Sequence, residues 1–246
     1  MRIAVVTPYF SEAPNVLWQC HASVLEQRRP VRHILVSDGR PQPVVDSWDA
    51  DHVRLPHPHG DAGNAARGIG ALMAVAEGYD AVAFLDADNW YQPDHLEATA
   101  AGMEREGAAL CSSARSLHAE DGRLLAPLDG ESDGIRHADT NTLLVHRRAA
   151  DLLALWCEMP PAFAWVGDRF LLAAARARGH AVAHVARATV CYRTRWAFHY
   201  RALGLPPPPG AKEDDALAAG MHAWRAMPAD ARKRLLRGAT PTSPRR

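Results

Sequence analysis

Two aspartates separated by one residue are the first candidates for chemistry in this sequence. Asp86 and Asp88 directly follow the apolar run Ala81-Val82-Ala83-Phe84-Leu85. If extended backbone continues past this run, residues two apart point the same way, and the two carboxylates lie side by side. Such a pair is suited to a hard divalent cation, Mg²⁺ or Mn²⁺, that bridges to substrate phosphates. The predicted chemistry is stabilisation of the charge that grows on a departing phosphate group, and a solvated acidic loop is the plain alternative.

The elements before this pair alternate between strand and helix. Four β-rich runs are predicted as strands at residues 3–7, 31–37, 53–55 and 81–85, and residues 16–27 and 62–77 have apolar residues at helical spacing. This alternation is typical of a largely parallel sheet with helices on both faces. Because ligands bind beyond the carboxyl ends of such strands, the polar residues that follow them should gather at one rim. These are residues 7–9, 37–39 and 86–88.

The second half is less regular. Residues 108–113, 142–145 and 181–185 are predicted as strands, and residues 148–156 and 168–178 as helices. The polar stretch from His118 to His137 suits a loop on the side of a second substrate. A run of four prolines at 206–209 then interrupts the chain before two further helical patterns at 214–227 and 229–237, and residues 240–246 are predicted to be frayed.

Composition excludes several classes of protein. The chain has 246 residues, of which 48% are hydrophobic, and 28 basic residues balance 28 acidic ones. Zero net charge gives no field that would attract nucleic acid. The four cysteines lack the C-x-x-C spacing of a zinc ribbon or redox dithiol. Neither a signal peptide nor a membrane span of about 20 apolar residues is recognisable, so a cytoplasmic protein is predicted.

Five ordered segments of the first 100 residues resemble the family 2 glycosyltransferases, which are inverting enzymes of the GT-A fold. The segments are Val6-Thr7-Pro8-Tyr9-Phe10, Val24-Leu25-Glu26-Gln27, Leu35-Val36-Ser37-Asp38-Gly39, Gly63-Asn64-Ala65-Ala66-Arg67-Gly68-Ile69-Gly70 and Phe84-Leu85-Asp86-Ala87-Asp88-Asn89, with Pro93 after the last. The resemblance implies an α/β fold with a Rossmann-like, mostly parallel sheet. Residues 1–205 would form the GT-A domain, with a nucleotide-sugar-binding half (1–100) and an acceptor-binding half (101–205), and 206–246 a Pro-rich break and helical tail.

The resemblance also implies a donor site for a nucleotide-diphosphate sugar, in particular a UDP-sugar. Asp88 would be the more direct ligand of Mn²⁺ or Mg²⁺, and Asp86 would lie nearer the ribose or a metal-bound water. Asp38 would accept a hydrogen bond from the base, for which a carboxylate facing the imide N–H of uracil is chemically suited, although a plain turn also explains Asp38-Gly39. The remaining residues expected to border the nucleotide or diphosphate are Thr7, Pro8, Tyr9, Gly63, Asn64, Arg67 and Ala87.

Tyr9 is suited to stack on the base, whereas a helix start alone would explain Gly63 and Asn64. Arg67 is as readily interpreted as an exposed helix residue. Late in the chain, His199 fits by order the histidine that completes the metal shell in some GT-A enzymes. Arg193, Arg195 or Lys212 would neutralise the diphosphate.

An inverting transfer needs a general base near the acceptor hydroxyl. In the family a carboxylate near the start of a late helix has this role, and Asp168 of Trp165-Val166-Gly167-Asp168-Arg169 occupies that position. The family often has two adjacent acids there, whereas Gly167 and Arg169 flank Asp168 here, and a helix N-cap is the alternative role. Trp165 and Asp139 are expected to face the acceptor, although core packing and turn capping would also explain them.

The predicted partners are a nucleotide-sugar donor and a glycan, lipid-linked or small-molecule acceptor, and a homodimer is compatible with the sequence. Two other functions use the same residues. A haloacid-dehalogenase-like phosphatase would use Asp86 as its nucleophile, but its motif usually follows the first strand. The other is a non-catalytic nucleotide-sugar-binding protein of the same fold. A dinucleotide-binding site is disfavoured, because Gly68-Ile69-Gly70 reaches Met73 where the third glycine belongs.

Overall fold

The computed structural model describes residues 1–238, so the predicted fraying of 240–246 lies outside the described residues. A mixed sheet of nine strands forms its centre. The strands are β1 (Ile3–Tyr9), β2 (Val31–Asp38), β3 (Asp51–Leu55), β4 (Ala81–Phe84), β5 (Trp90–Tyr91), β6 (Leu110–His118), β7 (Leu124–Ala126), β8 (Leu144–His146) and β9 (Val182–Arg193). Their order is β3-β2-β1-β4-β8-β6-β9-β5, and β7 pairs with β6.

Eight α-helices flank this sheet within the described residues. They are α1 (Pro14–Leu25), α2 (Asn64–Ala76), α3 (His95–Arg105), α4 (Leu155–Glu158), α5 (Gly167–Ala177), α6 (Ala197–Ala202), α7 (Asp215–Ala226) and α8 (Ala229–Arg237). Short 3₁₀ helices occur at Pro43–Ser47, Thr140–Thr142, Arg147–Leu152 and Pro161–Val166. No helix of residues 1–238 is both long and apolar enough to span a membrane.

The first half has the predicted parallel arrangement. β1 pairs in parallel with both β2 and β4, and β2 pairs in parallel with β3. The carboxyl ends of these strands therefore meet at one edge of the sheet. Every residue of β1 and β4 is buried, as expected for central strands covered on both faces.

Alternate residues of the central strands enter two hydrophobic clusters on opposite faces. Val6 and Phe84 pack in the cluster that also contains Trp156, whereas Val5 and Leu85 pack in the other. This follows from the two-residue period of a strand. The C-terminal helices join the first cluster, since Trp224 of α7 and Leu235 of α8 pack against it.

The second half departs from the predicted elements in two places. The strand predicted at 181–185 is β9, which continues to Arg193 and pairs in parallel with β6 across two register shifts. The helix predicted at 148–156 is instead the 3₁₀ helix Arg147–Leu152 followed by α4, with non-helical backbone at Ala149. Leu152, Leu153, Leu155 and Trp156 are all buried, so the segment packs on more than one side and loses the geometry of a surface helix.

Candidate active site

A cavity of about 410 Å³ lies beyond the carboxyl ends of the parallel strands. It brings together residues that are far apart in sequence, as the strand order predicts. The predicted site residues that line it are Pro8, Tyr9, Asp38, Gly63, Asn64, Arg67, Asp86, Ala87, Asp88, Asp139, Trp165, Asp168 and His199.

Thr7, which was predicted to border the nucleotide, does not line the cavity. It is fully buried in β1, and its hydroxyl lies 2.8 Å from Nε2 of His33. The period of the strand explains this position, because Thr7 and Pro8 point to opposite faces. Thr7 therefore supports the strand beneath the cavity.

Asp86 is held in a network of hydrogen bonds. Arg67 donates to Oδ1 at 2.6 Å, and the Asn141 amide donates to Oδ2 at 3.1 Å. Asn141 also accepts the Asp86 backbone N–H through Oδ1 at 2.5 Å. Both oxygens of the Asp86 carboxylate thus already have protein partners, which is a poor arrangement for a phosphatase nucleophile.

Asp88 differs from Asp86 in having no protein donor. Within residues 1–238 no hydrogen bond or ion pair reaches its side chain, which lines the cavity. Burial, together with the neighbouring charges of Asp86 and Glu12, raises the pKa of Asp88 to about 7. A partly buried carboxylate beside two other acids is a position where a bound cation would relieve charge repulsion.

Asp88 and His199 each carry a donor atom of a kind that binds a divalent cation, but in the structure these atoms and those of Asp86 do not lie within 4.8 Å of one another. Asp88 offers a carboxylate without a protein donor, and His199 offers Nε2, which makes no hydrogen bond among the described residues and lies 3.9 Å from Oε2 of Glu131. The other ring nitrogen, Nδ1, lies 2.7 Å from the Thr194 hydroxyl, which fixes the ring. Burial, followed by the charge of Arg115, lowers the pKa of His199 to about 4, so the imidazole is neutral near pH 7, as a metal ligand must be.

Within residues 1–238, one group of three donor atoms lies within 4.8 Å of one another, and it comes from His137, Asp139 and Asp168. Both carboxylates of this group already have protein partners, and Nε2 of His137 contacts Asp168. Asp139 pairs with the buried Arg115 and accepts from the Asn141 amide at 2.7 Å. We therefore do not assign a cation to this group.

The side of the cavity that was predicted to bind the nucleobase is built around Asp38 at the end of β2. Its carboxylate accepts from the backbone N–H of His59 at 3.1 Å and lies 2.6 Å from Nδ1 of the same residue. Tyr9 also borders the cavity, but its ring is only 2% exposed and packs on His52 with centroids 5.9 Å apart. Little of the Tyr9 ring is left for a base to stack on.

The start of α2 forms another wall. Gly63 precedes the helix with φ of +78°, a left-handed conformation that favours glycine, and a Cβ there would lie 3.2 Å from Pro8. Asn64 donates to the carbonyl of Ala164 at 3.0 Å and accepts from Arg67 at 2.8 Å. Arg67 is 4% exposed, so it is a buried partner of Asp86 rather than an exposed helix residue.

On the side of the cavity that was predicted to bind the acceptor, Asp168 is the second residue of α5. Its Oδ1 accepts from the Arg169 backbone N–H at 2.6 Å, and Oδ2 accepts from Nε2 of His137 at 2.6 Å. The N-cap of α5 is Val166, so Asp168 does not cap the helix. Burial alone would raise the pKa of Asp168, but the charge and hydrogen bond of His137 outweigh it and hold the pKa below its usual value.

Trp165 is 47% exposed at the cavity and meets Trp196 edge-on at 6.1 Å between ring centroids. The ammonium of Lys212 lies 5.7 Å from the Trp165 ring centroid. Among the three cations predicted for the diphosphate, Lys212 lines the cavity. Arg193 donates to Gln19 Oε1 at 2.7 Å and to the backbone carbonyl of Asp88 at 2.5 Å, and Arg195 pairs with Glu120 at 2.7 Å.

Sequence reasoning assigned no role to several residues that line this cavity: Glu12, Arg115, His137 and Trp196. Arg115 is an inward-facing residue of β6 that pairs with Asp129 and Asp139. A buried arginine of this kind has no local signature. His137 ends the irregular stretch that the sequence marked only as an acceptor-side loop.

Comparison with known proteins identifies the family. The sequence model of the family described as Glycosyl transferase family 2 matches residues 4–173. The chain belongs to glycosyl transferase family 2. Membership confirms the predicted family and places the chain among the glycosyltransferases rather than the phosphatases.

A sequence relative supports this assignment. The succinoglycan biosynthesis protein ExoW of Rhizobium meliloti (strain 1021) is 36% identical over 103 residues, which are 39% of this chain and 32% of ExoW. The matched segment is thus about a third of that relative.

Solved structures show the same fold. S. aureus TarS residues 1–349 in complex with UDP aligns with a TM-score of 0.60 at 12% identity, covering 96% of this chain and 70% of that one. The same protein in complex with UDP-GlcNAc aligns with a TM-score of 0.58 at 12% identity, covering 79% and 59%. Together with the family, this likeness confirms the predicted GT-A-type α/β fold.

Proposed function

We propose that this family 2 protein is an inverting, metal-dependent glycosyltransferase that transfers a sugar from a UDP-sugar to an acceptor hydroxyl. One observation carries the proposal: acids suited to three different tasks converge on one cavity. Asp38 lies on the nucleobase side, Asp86 and Asp88 lie in the centre, and Asp168 lies on the acceptor side.

Asp38 supports a uracil base. Its buried carboxylate is an acceptor, and uracil presents an imide N–H. The bond from His59 to Asp38 must be exchanged or shared when the base enters. The TarS structures with UDP and UDP-GlcNAc are consistent with a uridine nucleotide on this fold.

Asp88, Asp86 and His199 are the residues that would hold Mn²⁺ or Mg²⁺. A cation bound there would supply Lewis-acid stabilisation of the leaving diphosphate. Asp88 has the free carboxylate and would be the direct ligand, whereas Asp86 keeps its bonds to Arg67 and Asn141. Lys212 adds a positive charge at the mouth of the cavity.

Asp168 is the proposed general base. Its low pKa keeps it ionised at neutral pH, so it can receive a proton. The acceptor hydroxyl gives its proton to Asp168 while its oxygen forms a bond to the anomeric carbon, and the bond from that carbon to UDP breaks. Attack from the face opposite UDP inverts the anomeric centre. Trp165 is exposed beside this position and suits stacking on an acceptor sugar.

The acceptor is proposed to be a glycan, a lipid-linked sugar or a small molecule. A screen of nucleotide sugars tests the donor class. Thermal shift and UDP release would be measured for UDP-, GDP- and dTDP-sugars with Mn²⁺, with Mg²⁺ and with EDTA. Stabilisation and slow UDP release with one UDP-sugar, both lost with EDTA, are expected. Binding without turnover in any acceptor screen would instead support a non-catalytic nucleotide-sugar-binding protein.

A further inference from the structure

The contact between His137 and Asp168 joins two parts of the chain that sequence reasoning did not connect. The residues are 31 positions apart, and Nε2 of His137 lies 2.6 Å from Oδ2 of Asp168. Both side chains line the cavity. We propose that His137 is a positioning residue for the general base: its Nε2–H holds the Asp168 carboxylate in the orientation that receives the acceptor's proton. This inference rests on the proposed function.

The position of His137 is set independently of Asp168. The carboxylate of Asp133 accepts the backbone N–H groups of Arg136 at 2.7 Å and His137 at 3.2 Å. The carbonyl of His137 accepts from Gly134 at 2.8 Å, which closes the turn. Gly134 has φ of +68° and packs against His184, where a Cβ would lie 2.3 Å from the ring. This turn fixes the backbone of His137 beside the cavity, and Nδ1 of its buried ring has no hydrogen-bond partner among the described residues, so Nε2 is the nitrogen that makes the polar contact.

The carboxylate of Asp168 needs such a donor. The Arg169 backbone N–H occupies Oδ1, and His137 occupies Oδ2. One donor on each oxygen fixes the plane of the carboxylate, and each oxygen keeps a lone pair for the acceptor hydroxyl. Without His137 the side chain would be free to rotate about its terminal bonds, and a base displaced by about 1 Å can lose about 10²-fold in rate.

A purely stabilising ion pair is the competing explanation. The other charged or titratable groups that face His137 are Arg169, Asp139, Asp133 and His199. Asp139 pairs with Arg115, and Asp133 accepts from backbone N–H groups, whereas Asp168 makes the direct contact with Nε2, so Asp168 is the partner of the imidazole. A buried ion pair is weak evidence for a stabilising role, since its desolvation offsets the attraction. Both His137 and Asp168 line the cavity, and this position favours a role of the pair in the reaction.

Two amide substitutions distinguish the contributions of the two ring nitrogens of His137. In His137→Gln the amide nitrogen lies near the position of Nε2 and can still donate to Asp168. In His137→Asn the amide nitrogen lies near the position of Nδ1 and cannot reach it. We expect His137→Asn to lower kcat of UDP release about 10- to 100-fold, with unchanged Kd for UDP and Mn²⁺, and His137→Gln to retain most of the activity. The substrate is the UDP-sugar selected by the donor screen.

His180→Gln is the matched control, because His180 also pairs with a carboxylate, Asp151 at 3.0 Å, outside the cavity. It should not change kcat. In a double-mutant cycle, His137→Asn should have little further effect in an Asp168→Asn background, because its effect passes through Asp168. An equal loss in both backgrounds, or an active Asn and inactive Gln variant, would overturn the positioning role. Full activity of Asp168→Asn would instead overturn the proposed base.

Discussion

At the scale of single residues, one aspartate of the central pair stabilises the fold and the other does not. Asp86 neutralises the buried Arg67, whereas Asp88 is a repelled carboxylate without a protein donor. We predict that Asp88→Asn leaves the metal-free protein as stable as the wild type at pH 8, where Asp88 is mostly ionised, or makes it more stable. It should abolish the Mn²⁺-dependent part of UDP binding. Thermal shift with UDP, with and without Mn²⁺, measures both effects.

Asp86→Asn is the matched comparison. The amide oxygen of Asn can still accept from Arg67, but the charge of the buried guanidinium is left unpaired, which costs about 1–3 kcal/mol, so the melting temperature should fall even without ligand. If Asp88→Asn kept the wild-type Mn²⁺ dependence of UDP binding, Asp88 would not be the metal ligand.

Asp38 gives a second residue-scale prediction. Because its proposed contact is to the base, Asp38→Ala should weaken UDP and the UDP-sugar by the same factor, about 10-fold for a charge-assisted hydrogen bond of roughly 1.5 kcal/mol. Isothermal titration of both ligands checks this. Asp49→Ala is the control, because Asp49 is an exposed acid that pairs with Arg32 at the opposite, amino-terminal end of β2, and this variant should bind both ligands normally. A loss of affinity confined to the UDP-sugar would show that Asp38 does not contact the base.

At the scale of elements, α2 depends on its glycines for close packing. A Cβ on Gly70 would lie 2.7 Å from Val6 Cγ1 and 2.9 Å from Val36 Cγ2, and both contacts are in the core. Of the two glycines that fail as a dinucleotide motif, Gly70 thus lets α2 lie directly on β1 and β2, whereas Gly68 lets it approach Trp156 and Cys157 of α4. This packing also positions Arg67, about one turn earlier on the helix, and Asn64, nearly two turns earlier.

We predict that Gly70→Ala destabilises the fold by about 1–3 kcal/mol through overpacking and weakens UDP binding by displacing the start of α2. Urea denaturation and UDP titration measure the two effects. Leu72→Ala on the same helix is the control, since Leu72 is 40% exposed and should change neither quantity much. A Gly70→Ala protein with wild-type stability would show that the helix can shift without consequence.

The elements also show how far sequence patterns reach. Strands β1, β2 and β4 were predicted to within two residues, because continuous apolar runs followed by polar residues mark buried parallel strands. The full length of β9 was not predicted, because the middle of this strand is exposed and its residues do not form a continuous apolar run. The contact of His137 with Asp168 was also missed, since the turn that carries His137 has no periodicity.

At the scale of the whole molecule, buried histidines couple stability to pH. Burial lowers the pKa values of His33, His95 and His199, to about 3 for His95 and about 4 for His199. In the unfolded chain a histidine takes up a proton near pH 6.5. The stability these residues contribute is therefore complete above about pH 6.5 and is lost as the pH falls towards the folded values. His137 has the opposite sign, because Asp168 outweighs burial and raises its pKa, so its contribution is lost on the alkaline side.

We predict that the free energy of unfolding falls between pH 6 and pH 4.5, and that His95→Gln makes this fall shallower. Each histidine kept neutral in the fold adds a slope of about 1.4 kcal/mol per pH unit, so removing one should reduce the slope by that amount. Urea denaturation at several pH values measures it. The lost stacking of His95 on Tyr91, at 4.0 Å between ring centroids, will lower the stability of the variant at every pH, but a constant offset leaves the slope unchanged. His222→Gln is the control, since His222 is exposed and should leave the slope as in the wild type. Equal slopes for His95→Gln and the wild type would mean that His95 is protonated in the folded protein, against its burial.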